Sequence, residues 1–138
     1  DSASKKMFQN EPNTKFLDRI DQQIQTSLAG DNIVYIAALV FNPKEASPTF
    51  FGLSLESQQN KLTIGRSDQC SITIKAPSVS EYHADLCFKQ GKWVLTDHSS
   101  TNGLRSQGNL VSELVLEHGS TISLGQIEMT FRNIPWVL

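Results

Sequence analysis

From residue 32 onward, turn-forming residues interrupt the chain roughly every eight to twelve positions, and the runs between them are too short for a sizeable helix. The interruptions are Asn42-Pro43, Gln59-Asn60, Gln90-Gly91, Asn102-Gly103, His118-Gly119 and Leu124-Gly125. The intervening runs are rich in β-branched and aromatic residues. They predict strands near 33–41, 49–55, 61–65, 71–74, 83–89, 92–96, 104–106, 110–111, 114–116, 121–124 and 127–132. Alternation with period two, in Phe51-Leu53-Leu55 and in Ile72-Ile74, places those side chains on one face of a sheet. Such a pattern marks an all-β sandwich or barrel.

The first 31 residues follow a different rule. Residues 1–10 are polar, and Pro12, Asn13 and Thr14 then supply the chemistry of a helix start. Leu17, Ile20, Ile24 and Leu28 recur at helical spacing before Gly30, so one amphipathic helix is expected over about 14–29. Residues 1–31 therefore read as a tail and helix or linker, and 32–138 as the β domain. The helix has two readings: it packs on the domain, or it couples the chain to other segments through self-association. Thr14 and Thr26 would be the phosphorylatable positions of a head-to-tail assembly.

Composition removes several functions. Twelve Lys and Arg against fourteen Asp and Glu give a net charge of −2, without the basic excess that neutralises nucleic-acid phosphates, so no nucleic-acid partner is expected. The longest apolar run, IVYIAALVF at 33–41, is about half the length of a membrane helix, and no membrane insertion is expected. The start at Asp1-Ser2-Ala3 lacks the layout of a signal peptide and reads as a segment of a longer protein, expected in the cytoplasm. Cys70 and Cys87 lack metal-ligand spacing and read as reduced thiols. No metal or cofactor is implied.

Three loop segments occur in order: IGRSDQC at 64–70, PSVSEYH at 77–83 and DHSSTNG at 97–103, followed by HGSTISLG at 118–125. Together they resemble the forkhead-associated (FHA) domain, whose pattern runs Gly-Arg, Ser-x-x-His, Asn-Gly and a closing turn of this kind. The resemblance covers about residues 33–132. It implies an eleven-stranded β-sandwich, a noncatalytic signalling module whose loops at one end bind proteins phosphorylated on threonine. Carried over residue by residue, Arg66 and Ser80 match positions that contact phosphate, and Asn102 one that bonds the peptide main chain. Thr101, Glu81 and Lys75 lie in the same loops, while Gly65, His83 and Gly103 match positions that shape them. A guanidinium is permanently charged and offers a fork of donors to phosphate oxygens, and a serine hydroxyl adds another donor.

Each residue also has a plainer reading. Arg66 is then a solvated loop cation, Ser80 a turn cap, His83 a core histidine, and Asn102-Gly103 a type I′ hairpin turn. Ser80, His83 and Asp97 have the residue types of a hydrolytic triad, but no GxSxG elbow surrounds the serine and no enzyme is expected.

The sequence departs from the family at Glu81, where many members carry a cation. A carboxylate about 8 Å from a dianionic phosphate disfavours binding by about 1–4 kcal/mol, the lower value applying in salt. Lys75 and Arg105 are the candidate replacements for the missing positive charge. The expectation is thus a weak or atypical phosphothreonine reader, with a phosphorylation-independent scaffold as the alternative.

Overall fold

A computed structural model describes residues 19–24 and 33–134. The chain divides into two units, with the boundary between Asn32 and Ile33. Of the first unit, residues 19–24 are helical, and Ile20 and Ile24, one helical turn apart, are both buried. Thr14, Thr26 and the remaining residues of the expected helix lie outside the described residues.

The second unit contains eleven strands among the described residues: β1 (Tyr35–Phe41), β2 (Thr49–Ser54), β3 (Leu62–Gly65), β4 (Ile72–Thr73), β5 (Ala84–Lys89), β6 (Lys92–Asp97), β7 (Leu104–Ser106), β8 (Asn109–Val111), β9 (Glu113–Leu116), β10 (Thr121–Leu124) and β11 (Ile127–Asn133). They form a six-stranded sheet in the order β2-β1-β11-β10-β7-β8 and a five-stranded sheet in the order β4-β3-β5-β6-β9. The fold is the eleven-stranded sandwich expected from the sequence, and its strand limits differ from the expected ones by only a few residues.

The alternation explains how the sheets face each other. Ala37, Leu39 and Phe41 of β1 meet Met129 and Phe131 of β11 on the inner side of one sheet. Ile64, Ala84, Leu86, Trp93 and Leu95 line the inner side of the other. Burying a side chain of the Leu or Phe class contributes about 1.5–3 kcal/mol relative to exposure, which makes this shared interior the main support of the loops above it.

Two local expectations are corrected. Leu55 leaves the alternation of Phe51 and Leu53 and is 55% exposed. Reciprocal hydrogen bonds between Ser54 and Ser57 end β2 and turn the chain into a 3-10 turn, Glu56–Gln59, so Leu55 no longer follows the pleat. Nor is Asn102-Gly103 a type I′ turn. Such a turn needs positive φ at both central residues, whereas here Gly103 has φ +75 and Asn102 has none. The flanking strands β6 and β7 belong to different sheets, so residues 98–103 cross between sheets and do not close a hairpin. The two-residue turns with positive φ throughout are Gln90-Gly91 (51 and 78) and Gln107-Gly108 (52 and 81).

Candidate functional site

β3 delivers Gly65 and Arg66 to one end of the sandwich, where the segment preceding β5 crosses them. The Arg66 N–H donates to Ser80 O at 2.9 Å and the Ser67 N–H to Glu81 O at 3.1 Å. This approach requires glycine at 65, because a Cβ there would stand 2.2 Å from Glu81 O. A similar contact holds the far side of the loop: a Cβ on Gly125 would meet Ser78 O at 2.2 Å. The Gln126 N–H donates to Ser78 Oγ at 2.9 Å. Loop 74–83 is thus clamped between β3 on one side and the β10–β11 turn on the other.

His83 ties this loop to the crossing segment 98–103. It is fully buried; its Nδ1 accepts the Ser80 N–H at 3.0 Å, and its Nε2 lies 2.8 Å from Gly103 O. A ring nitrogen that accepts an N–H leaves the proton on the other nitrogen, so the Nε2–H tautomer donates to Gly103. Ser80 also accepts at its hydroxyl, from the Thr101 N–H at 2.9 Å. The crossing segment is shaped from within by Asp97, which accepts from the Ser100 hydroxyl, while Ser100 Oγ accepts the Gly103 N–H at 2.8 Å. These bonds account structurally for Ser100 in the Ser-Ser-Thr run.

Around this frame the candidate residues fall into two hollows. The first, of about 620 Å³, is lined by Arg66, Ser67, Asp68, Lys75, Pro77 and Glu81, among others. Arg66 donates through Nε to Val79 O at 3.0 Å, which fixes the plane of the guanidinium and leaves its terminal nitrogens without a protein partner. Lys75 donates to Arg66 O at 3.0 Å and pairs with Asp68 Oδ1 at 2.7 Å, with both side chains mostly exposed. Glu81 lies on this rim, exposed.

The second hollow, of about 580 Å³, is lined by Asp97, Thr101, Asn102, Arg105, Leu110 and Ser112, among others. Asn102 does not stand free there: one of its two Nδ2 hydrogens donates to Ser78 O at 2.8 Å, which leaves the second N–H and the side-chain oxygen as its open groups. Arg105 opens into this second hollow and not into the one that holds Arg66 and Lys75.

The structure therefore brings Arg66, Glu81 and Lys75 to one rim; Ser80 lines neither hollow and joins this rim through its carbonyl, which accepts the Arg66 N–H, with Thr101 and Asn102 adjoining through their bonds to Ser80 and Ser78. Sequence reasoning missed Asp68, which holds Lys75, and Ser78, which anchors the loop through both its carbonyl and its hydroxyl. Ser78 carries no local signal because its partners lie 24 and 48 positions away. Among the described residues no His, Cys, Asp or Glu group could hold a metal, and both cysteines are free. Ser80 and His83 meet through a main-chain N–H, so the hydroxyl is not paired with the imidazole as a nucleophile with its base.

This sandwich, with its loops gathered at one end, is that of an interaction domain. Residues 62–125, just under half of the chain, match the FHA domain family. Among curated proteins it is 37% identical over 83 residues to the mouse (Mus musculus) proliferation marker protein Ki-67, covering 59% of this chain and 2% of that protein. The chain thus spans a small fraction of its relative's length. Among solved structures it resembles an FHA domain from a structural and functional analysis of phosphothreonine-dependent FHA domain interactions. That likeness has a TM-score of 0.61 and 25% identity, over 70% of this chain and 95% of that one. It also resembles Mycobacterium tuberculosis EmbR in complex with a low affinity phosphopeptide, with a TM-score of 0.59 and 25% identity, over 72% of this chain and 24% of that one.

Proposed function

We propose that the domain binds phosphothreonine peptides and so docks phosphorylated partner proteins, without catalysis, as a cytoplasmic interaction module. The observation that carries this reading is the pinned pair of Arg66 and Ser80, joined through their main chains. Arg66 is held by its Nε, with its terminal N–H groups turned to solvent. Ser80, whose carbonyl accepts the Arg66 N–H, has a hydroxyl that accepts from Thr101 and keeps its own proton for a ligand. Lys75 stands on the same rim and supplies a second cation once a phosphate competes with Asp68 for it. The open amide oxygen and N–H of Asn102 and the Thr101 side chain face the peptide beside the phosphate.

Hydrogen bonds to charged groups contribute about 1.5–3 kcal/mol each, so two or three, together with main-chain contacts to the peptide, bring affinity to about the micromolar range after the ordering cost of the peptide. The test is isothermal titration of matched peptides carrying phosphothreonine, phosphoserine or unmodified threonine against wild type and Arg66→Ala. Binding that requires phosphate and weakens about tenfold or more in Arg66→Ala supports the reading. Equal binding of phosphorylated and unphosphorylated peptides overturns it in favour of a phosphorylation-independent scaffold.

A further inference from the structure

Glu81 stands out in the Arg66 hollow because its carboxylate, unlike that of Asp68, is not committed to the protein. Two cations and two carboxylates, Arg66, Lys75, Asp68 and Glu81, line this hollow. Lys75 and Asp68 satisfy each other at 2.7 Å. Arg66 is engaged only through its Nε and its main chain. Glu81 is engaged only through its carbonyl, which accepts from the Ser67 N–H at 3.1 Å and from Cys70 Sγ at 3.3 Å. Its main chain is thereby fixed beside Arg66, while the exposed side chain has no bond of its own. The unsatisfied charges presented to a ligand are therefore a guanidinium and a carboxylate on one rim.

A ligand carrying only phosphate meets repulsion at Glu81. One carrying phosphate and a nearby cation matches both charges. We infer that Glu81 is a specificity determinant that selects phosphothreonine peptides with a lysine or arginine close to the phosphothreonine, and rejects those with an acidic residue there. This rests on the phosphothreonine reading above and extends it to the class of partner: proteins phosphorylated within basic sequence. Discrimination of this kind arises as much from the clash with the wrong ligand as from attraction to the right one.

The experiment uses fluorescein-labelled phosphothreonine peptides in an alanine-rich background, with each flanking position replaced in turn by Lys or Glu. Fluorescence anisotropy is recorded with wild type, Glu81→Gln and Glu81→Lys. Because the Glu81 side chain is exposed and makes no hydrogen bond or ion pair within the protein, the variants are expected to melt with wild type, which circular dichroism checks. At one flanking position wild type should favour Lys over Glu by about two- to fivefold, the range of an exposed ion pair. This preference should shrink in high salt, vanish in Glu81→Gln and reverse in Glu81→Lys. If phosphopeptides bind wild type but show no charge preference, or if the preference survives in Glu81→Gln, the inference about Glu81 is wrong. If no phosphopeptide binds in preference to its unphosphorylated form, the phosphate reading fails first and takes this inference with it.

Discussion

At one end of the sandwich β5 and β6 are joined by the two residues Gln90-Gly91, and β9 and β10 by a turn in which the Glu117 N–H donates to Ser120 Oγ and the Ser120 N–H to Glu117 O. At the other end the chain makes long excursions, 66–71, 74–83 and 98–103, whose order comes from bonds between segments far apart in sequence. Arg66 reaches Val79, His83 reaches Gly103, Thr101 reaches Ser80, and Ser78 holds both Asn102 and Gln126, over separations of 13 to 48 positions. The first end is closed by conformational preference, which each turn satisfies by itself. The second depends on the two sheets being docked, so its loops are expected to loosen at lower cost than the strands below them. Long loops present many donors and acceptors to a ligand, and cross-linking them limits the entropy lost when a ligand binds.

The sharpest way to break this contrast is to remove the link at the centre of the site end. His83→Ala leaves the Ser80 N–H and the Gly103 carbonyl without partners in a buried place and opens a cavity beneath both loops. Each unsatisfied group costs about 1–3 kcal/mol, so a loss of about 3 kcal/mol or more in urea unfolding is expected. Native-state hydrogen exchange should show the Thr101 and Gly103 amides losing protection before those of β5 and β6. A uniform loss over all strands would mean that the loops are not a separately ordered layer.

Tyr82 gives a smaller effect with a particular pH signature. It lies between Glu81 and His83 but faces the outer side of the five-stranded sheet, where its ring stacks on His98 with centroids 4.1 Å apart and its hydroxyl donates to Asp85. That hydrogen bond to Asp85 is the main cause that pushes its pKa up to about 12, with burial second and the Asp85 charge third. The unfolded chain ionises this tyrosine near its ordinary value of 10.0. Between about pH 10 and 12 the unfolded state therefore sheds a proton that the native state keeps, and the contribution to stability, fully present below pH 10, is lost across that window. Tyr82→Phe should cost about 1 kcal/mol at neutral pH and remove this part of the alkaline decline. Unfolding curves for both proteins at pH 9 and 11, with absorbance titration of the phenol, check it; parallel declines would refute the assignment.

The same contrast explains how much was legible in the sequence. The strands were, because Val, Ile and Phe alternate within each run and glycine marks the turns; Gln90-Gly91 needs no knowledge of the rest of the chain. Gly65 and His83 could be picked out by motif, although the reason glycine must stand at 65 is a carbonyl sixteen positions later, Glu81 O at 2.2 Å from any Cβ. Leu55 was misplaced because alternation alone does not reveal that Ser54 and Ser57 bond to each other and end the strand. The Asn102-Gly103 pair was open to reading as a hairpin because the dipeptide favours one locally; that β6 and β7 lie in different sheets is a property of the whole topology. Lys75 looked like a free cation until the fold set Asp68 beside it. Local preference is written in neighbouring residues, whereas pairing across loops appears only once the sheets have met.

The smallest expected effect tests the quiet end. Gly91 has φ +78, and a Cβ there meets nothing within 4 Å, so Gly91→Ala adds no collision. A non-glycine residue in the left-handed region costs about 1–2 kcal/mol. The lost freedom of the unfolded chain returns about 0.4–1 kcal/mol. A net loss of about 1 kcal/mol or less is expected, and Gln90, already at φ 51 in the same turn, shows that a side chain is accommodated there. Because this turn shares no hydrogen bond with the loops around Arg66, phosphopeptide affinity in Gly91→Ala should equal that of wild type, measured by titration on the same peptides. A change in affinity would show that the two ends communicate through β5 and β6, and the division between a self-sufficient end and a cross-linked one would then have to be given up.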